Sequence, residues 1–473
     1  MKLLKHATAA FTANTVTAGA QYALVVLIAR GLGPDAFGTF VFATTLGGLI
    51  AVLPNFGLDR IVQRQVIRER ERLGVWFTSA AMLRLVLAAA AAALAAVIVP
   101  RLAPAGSPPA AILLIVLSLV IALGTELCRA VLYASDAMGY ELGLRVAGRI
   151  LVLGAVVAAV RAGGGVEGVA AALVASGVIE VGVYAVAMVR LVGLRRHAPS
   201  WPAVRTLAAS AAPVAFNTLF VLLYFRASVL LIGAWAGPAA AGQFGAAFTF
   251  VQVLQVASGS LAAVLLPHFA HPSAERNMAA RIDTMTRVLL AGIVPASAAL
   301  SLLAPEIVGL VYASRYAAAG PALAILGWAP VFMFLGSLHG TLLIALDAER
   351  MLFWLSLAAA VLSLSANAWL IPRYGLIGAS WATVGTEAFV GVSCLLLVRR
   401  RAGAPHLRAL VWPSLVAAAV AAGGATASRW PLAMRMAAAA VTIGLAAVWL
   451  HRVARPSWQA VLGGRGARGG AQA

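Results

Sequence analysis

The sequence predicts an all-α polytopic membrane protein of about 14 transmembrane helices. These form two six-helix lobes in parallel pseudo-repeat, followed by two extra C-terminal helices. Three observations carry this reading. Hydrophobic residues make up 62% of the 473 and charged residues only 11%, with mean hydropathy +0.96. A soluble chain carries about a quarter charged residues, so the solvent here is lipid. Apolar stretches of about 20 residues, the length of one helical crossing, recur along the whole chain. Finally, one fourteen-residue phrase occurs twice, 204 residues apart.

Taken in order, the apolar stretches fall at about 9–29, 36–56, 75–99, 109–134, 143–160, 166–189, 207–233, 241–266, 286–311, 322–346, 352–371, 376–398, 409–427 and 434–451. The first follows Lys2 and Lys5, as a signal peptide would. It is too long for one, carries Asn14 and Gln21, and runs into the repeated phrase, so it reads as a retained span. The fifth is short and holds Arg145 and Arg149. Linkers are short, the appreciable ones being 57–74, 190–206 and 267–285. The Gly- and Arg-rich tail after Arg452 reads as disordered.

The repeated phrase runs Leu27-Ile28-Ala29-Arg30-Gly31-Leu32-Gly33-Pro34-Asp35-Ala36-Phe37-Gly38-Thr39-Phe40. It returns from Leu231 to Phe244 with seven of fourteen positions identical, including Gly237, Pro238, Gly242 and Phe244. Leu132–Ala137 matches Leu343–Ala348 at an offset of 211, and Gly165-x-x-Gly168 matches Gly375-x-x-Gly378 at 210. The duplicated unit is therefore six spans. Six is even, so the halves share one orientation about an axis along the membrane normal. The expected organisation is an N-terminal lobe at 1–200, a C-terminal lobe at 201–401, and spans 13 and 14 with the basic tail at 402–473. The phrase itself reads as the helix-hairpin hinge of each lobe.

Charge orients the chain. The net charge is +20, carried by 33 Arg and two Lys. If the N-terminus is cytoplasmic, 23 basic residues fall on the cytoplasmic side and 7 on the other. That asymmetry predicts that both termini are cytoplasmic. Spread through short loops, the charge signals topology and not nucleic acid. With no Gly-Lys-Ser/Thr there is no Walker A loop. Cys128 and Cys394 lie unpaired in apolar spans and read as small buried hydrophobes. His268 and His271 share a helical spacing without further ligands, so neither a metal nor a cofactor is expected. Loops of about 20 residues leave no room for an extramembrane catalytic domain, so the chain is not expected to be an enzyme.

Five arginines, Arg84, Arg129, Arg145, Arg149 and Arg226, lie inside spans, where each costs roughly 2.5–3.5 kcal/mol at the bilayer centre. One reading is a cationic cavity for an anionic headgroup such as a diphosphate, since guanidinium presents forked donors. The other is snorkelling or internal pairing; Glu126 and Arg129, three apart on one helix face, suit each other. Glu126, Glu180 and Glu387 are deep carboxylates, fit either to couple transport to an ion or to pair with those arginines. His339 is either a proton relay or a packed, hydrogen-bonded histidine. Asn14, Gln21, Asn217, Gln252 and Gln255 form polar faces on spans 1, 7 and 8 with Phe244 and Phe248. They suit a sugar-lined cavity or, equally, helix–helix contacts.

The residues Ala29-Arg30-Gly31-Leu32-Gly33-Pro34-Asp35-Ala36-Phe37-Gly38 followed by Phe56-Gly57-Leu58-Asp59-Arg60-Ile61-Val62-Gln63-Arg64 resemble the Wzx-type polysaccharide flippases. These belong to the multidrug/oligosaccharidyl-lipid/polysaccharide exporter superfamily. Pro213, Tyr224-Phe225-Arg226, Leu266-Pro267 and Tyr374-Gly375-Leu376-Ile377-Gly378-Ala379 continue the resemblance over about residues 5–400. It implies two six-helix lobes in a V around a cationic cavity. It also implies flipping of an undecaprenyl-diphosphate-linked oligosaccharide by alternating access, for lipopolysaccharide or other surface polysaccharide biosynthesis. The implied partners are that lipid-linked oligosaccharide, membrane lipids, a polysaccharide polymerase and glycosyltransferases. Where the family often has an Asp after Tyr-Phe-Arg, this chain has Ser228, which removes a nearby acidic partner from Arg226. A lipid II flippase, a cation-coupled drug exporter of the same superfamily, and a non-transporting scaffold of a glycan-synthesis complex stay open as alternatives.

Overall fold

A computed structural model describes residues 19–55, 57–135, 137–192, 197–269, 278–402 and 431–444, and among these the regular structure is helical. Span 13 and residues Asn14 and His271 lie outside the described residues. The helices are α1 (Gly19–Leu32), α2 (Pro34–Ile50), α3 (Val52–Asn55), α4 (Leu58–Arg68), α5 (Leu73–Leu102), α6 (Pro109–Ala134), α7 (Met138–Arg161), α8 (Gly165–Val192) and α9 (Trp201–Phe269). They continue with α10 (Met278–Leu302), α11 (Ala304–Tyr312), α12 (Ala319–Leu326), α13 (Ala329–Ala345), α14 (Glu349–Ala402) and α15 (Leu432–Gly444). Nine described helical segments are long and apolar enough to cross a membrane. The short fifth span is one of them: α7 extends it to 24 residues.

Two helices, α9 and α14, are far longer than one crossing, and each contains a glycine with non-helical dihedrals. Gly237 in α9 has φ 86° and ψ 174°, and Gly33 between α1 and α2 has φ 82° and ψ 175°. The two copies of the repeated phrase thus bend through the same backbone conformation, one that a Cβ disfavours. Pro34 and Pro238 then start the next helix with φ already set. Gly165 and Gly375, the second repeated pair, also share a positive φ, of 60° and 52°.

Two compact units result, residues up to Gly245 and residues from Ala246 onward. In the first, Leu58, Val62 and Val66 of α4 pack with Trp76 of α5, Leu127 and Val131 of α6, Tyr184 of α8 and Leu207 of α9. In the second, Ile282 of α10 packs with Leu338 and Leu342 of α13 and with Cys394 and Val398 of α14. Apolar residues on the opposite faces, among them Leu85 and Val86 of α5, Ile179 and Val186 of α8 and Trp354 and Trp369 of α14, stay exposed, as lipid contact requires.

The two copies of the phrase also touch. A Cβ on Gly38 of α2 would overlap the Pro238 carbonyl and lie 2.7 Å from the Gly242 nitrogen. A Cβ on Gly242 would overlap the Pro34 carbonyl and lie 3.1 Å from the Gly38 nitrogen. The contact is reciprocal, backbone on backbone, and flanked by Gly233 against Phe42 and Gly245 against Val41. With no hydrophobic force to press helices together in lipid, such small-residue crossings hold them by close packing. Gly38→Ala and Gly242→Ala should each destabilise the detergent-solubilised protein by about 1–3 kcal/mol through overpacking. Gly182→Ala on α8, where a Cβ meets open space, should be neutral in the same thermal-unfolding measurement.

Candidate functional site

The charged residues of the first unit gather into a chain of contacts. Arg84 of α5 is buried and donates from Nη2 to Asp59 Oδ1 at 2.8 Å and from Nε to the Pro54 carbonyl at 3.3 Å. Its Nη1 donates to the Leu123 carbonyl. It therefore pins the α3–α4 turn to α6 and uses donors on all three nitrogens to do so. Asp59 was not singled out from sequence; it belongs to a motif whose partner lies 25 residues away, on another helix.

Glu141, at the start of α7, is completely buried between two arginines. Arg129 Nε donates to its Oε1 at 2.8 Å, while Arg145 donates to it from Nε at 2.9 Å and from Nη2 to Oε2 at 2.9 Å. Arg145 also donates to the Tyr133 hydroxyl and sits 5.9 Å from that ring, and Arg129 pairs with Glu126. The Glu126–Arg129 pairing read from their spacing is present. Glu141 went unread, although Glu141 and Arg145 are four apart on one helix face, the spacing of a favourable pair.

Arg149 continues that face of α7 and donates from Nη1 to Gln21 Oε1 of α1 at 3.2 Å. Glu180 of α8 packs on Gly148 and is an electrostatic neighbour of Arg149 and Arg129. The residue beside Gln21, Tyr22, is the electrostatic neighbour of Arg226 on α9, whose guanidinium lies 5.7 Å from the Phe225 ring. Adjacent residues of α1 thus reach two arginines on two different helices. Among the described residues no carboxylate contacts Arg226, and Ser228 is buried.

A cavity of about 450 Å³ opens beside this chain. Asn55, Asp59, Arg60, Glu126 and Thr218 supply its polar lining, with Leu123 and Leu222 among the apolar walls. Thr218, Leu222 and Arg226 are spaced four apart, so Arg226 extends the face of α9 that walls the cavity. Arg60 and Asn55 were not anticipated, because only the turn between α3 and α4 turns them toward it.

The remaining sequence candidates stand apart. Gln252 and Gln255 lie half-buried in the second unit, and the side chain of Asn217 is outside the described residues, as are those of His268 and His271. Phe244 and Phe248 are fully buried in packing. Glu387 of α14 is 4% exposed, and no described cation pairs with it. His339 is a packed, hydrogen-bonded histidine: Nδ1 meets the Leu335 carbonyl at 2.9 Å and Nε2 meets Thr286 Oγ1 at 3.2 Å. Cys128 and Cys394 are free and buried.

Removing the charge of Glu141 takes away the buried carboxylate that Arg129 and Arg145 share. Glu141→Gln should cost about 3–5 kcal/mol, the penalty for breaking a buried pair, seen as a lower unfolding temperature and poor recovery from membranes. Glu141→Gln combined with Arg145→Gln should recover part of that loss, measured as the coupling in a double-mutant cycle.

Comparison with known proteins places this geometry. The chain is 23% identical over 386 residues to the probable low-salt glycan biosynthesis flippase Agl15 of Haloferax volcanii, covering 81% of this chain and 80% of that one. It is 26% identical over 435 residues to the succinoglycan biosynthesis transport protein ExoT of Rhizobium meliloti, covering 84% and 83%. Among solved structures, lipid II flippase MurJ in an inward closed conformation aligns at TM-score 0.74 and 12% identity, over 95% of this chain and 99% of that chain. An inward-facing multidrug resistance transporter of the MATE family aligns at 0.65 and 15% identity, over 81% and 94%. These likenesses establish the exporter-superfamily fold of a multi-pass membrane protein. The profile of the family described as polysaccharide biosynthesis protein matches residues 3–272, more than half of the chain, and the protein belongs to that family.

Proposed function

We propose that the protein is a flippase that carries an undecaprenyl-diphosphate-linked oligosaccharide across the inner membrane for surface polysaccharide biosynthesis. On this reading the two repeats, 1–200 and 201–401, alternate access to the two sides, and both termini are cytoplasmic, as the 23-to-7 partition of basic residues supports. The observation that carries the proposal is the division of labour among the intramembrane arginines. Arg84, Arg129 and Arg145 are held by Asp59, Glu126 and Glu141 and build the wall. Arg149 and Arg226 meet an amide, a phenol and an aromatic ring instead, Arg226 standing one turn beyond the cavity-lining Leu222 on α9, and offer forked donors to a diphosphate. Arg60, Asn55, Thr218 and Gln21 supply hydrogen bonds for the first sugars, and Asn14, Asn217, Gln252 and Gln255 are the further polar candidates that the sequence offers. The named roles of the relatives in glycan flipping and succinoglycan transport support the substrate class. A polysaccharide polymerase and glycosyltransferases are the protein partners such a step requires.

Of the three deep carboxylates, Glu126 and Glu180 have arginine neighbours, whereas Glu387 is buried without a described cation. We assign Glu387 the role of coupling residue, able to take up a proton or small cation during the cycle.

Deleting the gene should deplete surface polysaccharide and leave the lipid-linked repeat unit on the cytoplasmic face. Arg226→Gln and Arg149→Gln should insert at normal levels yet slow flipping about tenfold or more, the loss of one hydrogen bond to a charged group. Full complementation by both variants would point to a scaffold. Accumulation of lipid II instead of the glycan precursor would reassign the substrate. In proteoliposomes, Glu387→Gln should abolish the response to an imposed proton or sodium gradient while downhill flipping persists. An unchanged gradient response would remove Glu387 from the coupling step.

A further inference from the structure

We infer that a crevice between α1 and α7, remote from the polar cavity, binds an anionic phospholipid of the bilayer. One acyl chain lies in the crevice and the lipid phosphate sits between Arg30 and Arg161. The crevice has a volume of about 670 Å³ and is walled by Ala23 and Leu27 of α1 and by Val157 and Val160 of α7. Arg30, two residues before the end of α1, and Arg161, the last residue of α7, both exposed, line one end of it. A Cβ on Gly31 would run into the Val160 side chain, so the two helices meet directly beside these arginines.

This combination selects its occupant. An apolar slot has nothing to offer a sugar but accommodates a hydrocarbon chain, and an arginine near the end of each helix can present forked donors to a phosphate. Basic pockets between membrane helices are a recognised form of headgroup site. The positive ammonium of a zwitterionic headgroup would meet two like charges, which favours a lipid with net negative charge. The arginine end of this site stands away from the proposed substrate path. Arg161 is twelve residues beyond Arg149 on α7, roughly 18 Å by helical rise. The polar cavity begins at Gly48, near the far end of α2, roughly 20 Å from the turn that follows Arg30. On the topology proposed above, the bound lipid belongs to the leaflet facing away from the cytoplasm. Its binding does not depend on which glycan is carried.

The test uses the full-length chain purified in detergent and titrated with phosphatidylglycerol or phosphatidylcholine, with bound lipid counted by native mass spectrometry. The wild type should retain one phosphatidylglycerol about thirtyfold more tightly than phosphatidylcholine, equivalent to about 2 kcal/mol for two arginines near the headgroup plane. The double variant Arg30→Gln/Arg161→Gln should lose that preference. Ala23→Trp, which fills the crevice and leaves both arginines in place, should lose the retained lipid while remaining monodisperse. An undiminished preference in the double variant, or retention in Ala23→Trp, overturns the proposal. So does displacement of phosphatidylglycerol by an equal concentration of undecaprenyl phosphate, which would give the crevice to the carried lipid.

Discussion

The clamp of two arginines on Glu141 is the interaction on which the first unit depends. In hydrocarbon a lone guanidinium is costly, and a buried charge survives only with a counter-charge and satisfied hydrogen bonds. Glu141 meets both needs at once, accepting from Arg129 of α6 and Arg145 of α7 with no exposure to solvent. Arg84 repeats the device with Asp59 and two main-chain carbonyls, tying α5 to the α3–α4 turn and to α6. Because these groups are fixed by their partners, the neighbouring Arg149 and Arg226 stand on a wall that does not need them.

The same unit is held by an uncharged constraint of equal importance. The duplicated phrase supplies a left-handed glycine, a helix-starting proline and a second glycine four residues on, in both copies. Gly33 and Gly237 make the same bend, and Gly38 and Gly242 then lie against each other's helix with no space for a side chain. A motif that looks in sequence like two independent hinges is, in three dimensions, a single crossing made of both. The phrase is asymmetric: Arg30, which is Ala234 in the second copy, lines the α1–α7 crevice.

Much of this was legible in the chain itself. Apolar length located crossings among the described residues, the fifth included, because the cost of exposing backbone to lipid makes a helix the only economical path across it. The Glu126–Arg129 pair followed from helical spacing, whereas the sequence left His339 between a proton relay and a packed histidine. Glu141 was within reach of the same reasoning, through its spacing to Arg145, but its position near the start of a short, charged stretch masked its depth. Asp59, Arg60, Asn55 and Tyr22 were not legible. Their partners come from helices 25 or more residues away, and periodicity carries no information about which faces of distant helices meet.

The sequence by itself determined the solvent, the helical class, the duplication and the presence of more positive than negative charge within the membrane. Those are properties of composition and local spacing, and lipid enforces them before any helix finds its neighbour. Only the tertiary structure decided which arginines are neutralised and which remain beside the cavity. Ion pairing over a few ångströms depends on how helices cross, and in this protein the crossings are set by glycines whose role is defined by what lies against them.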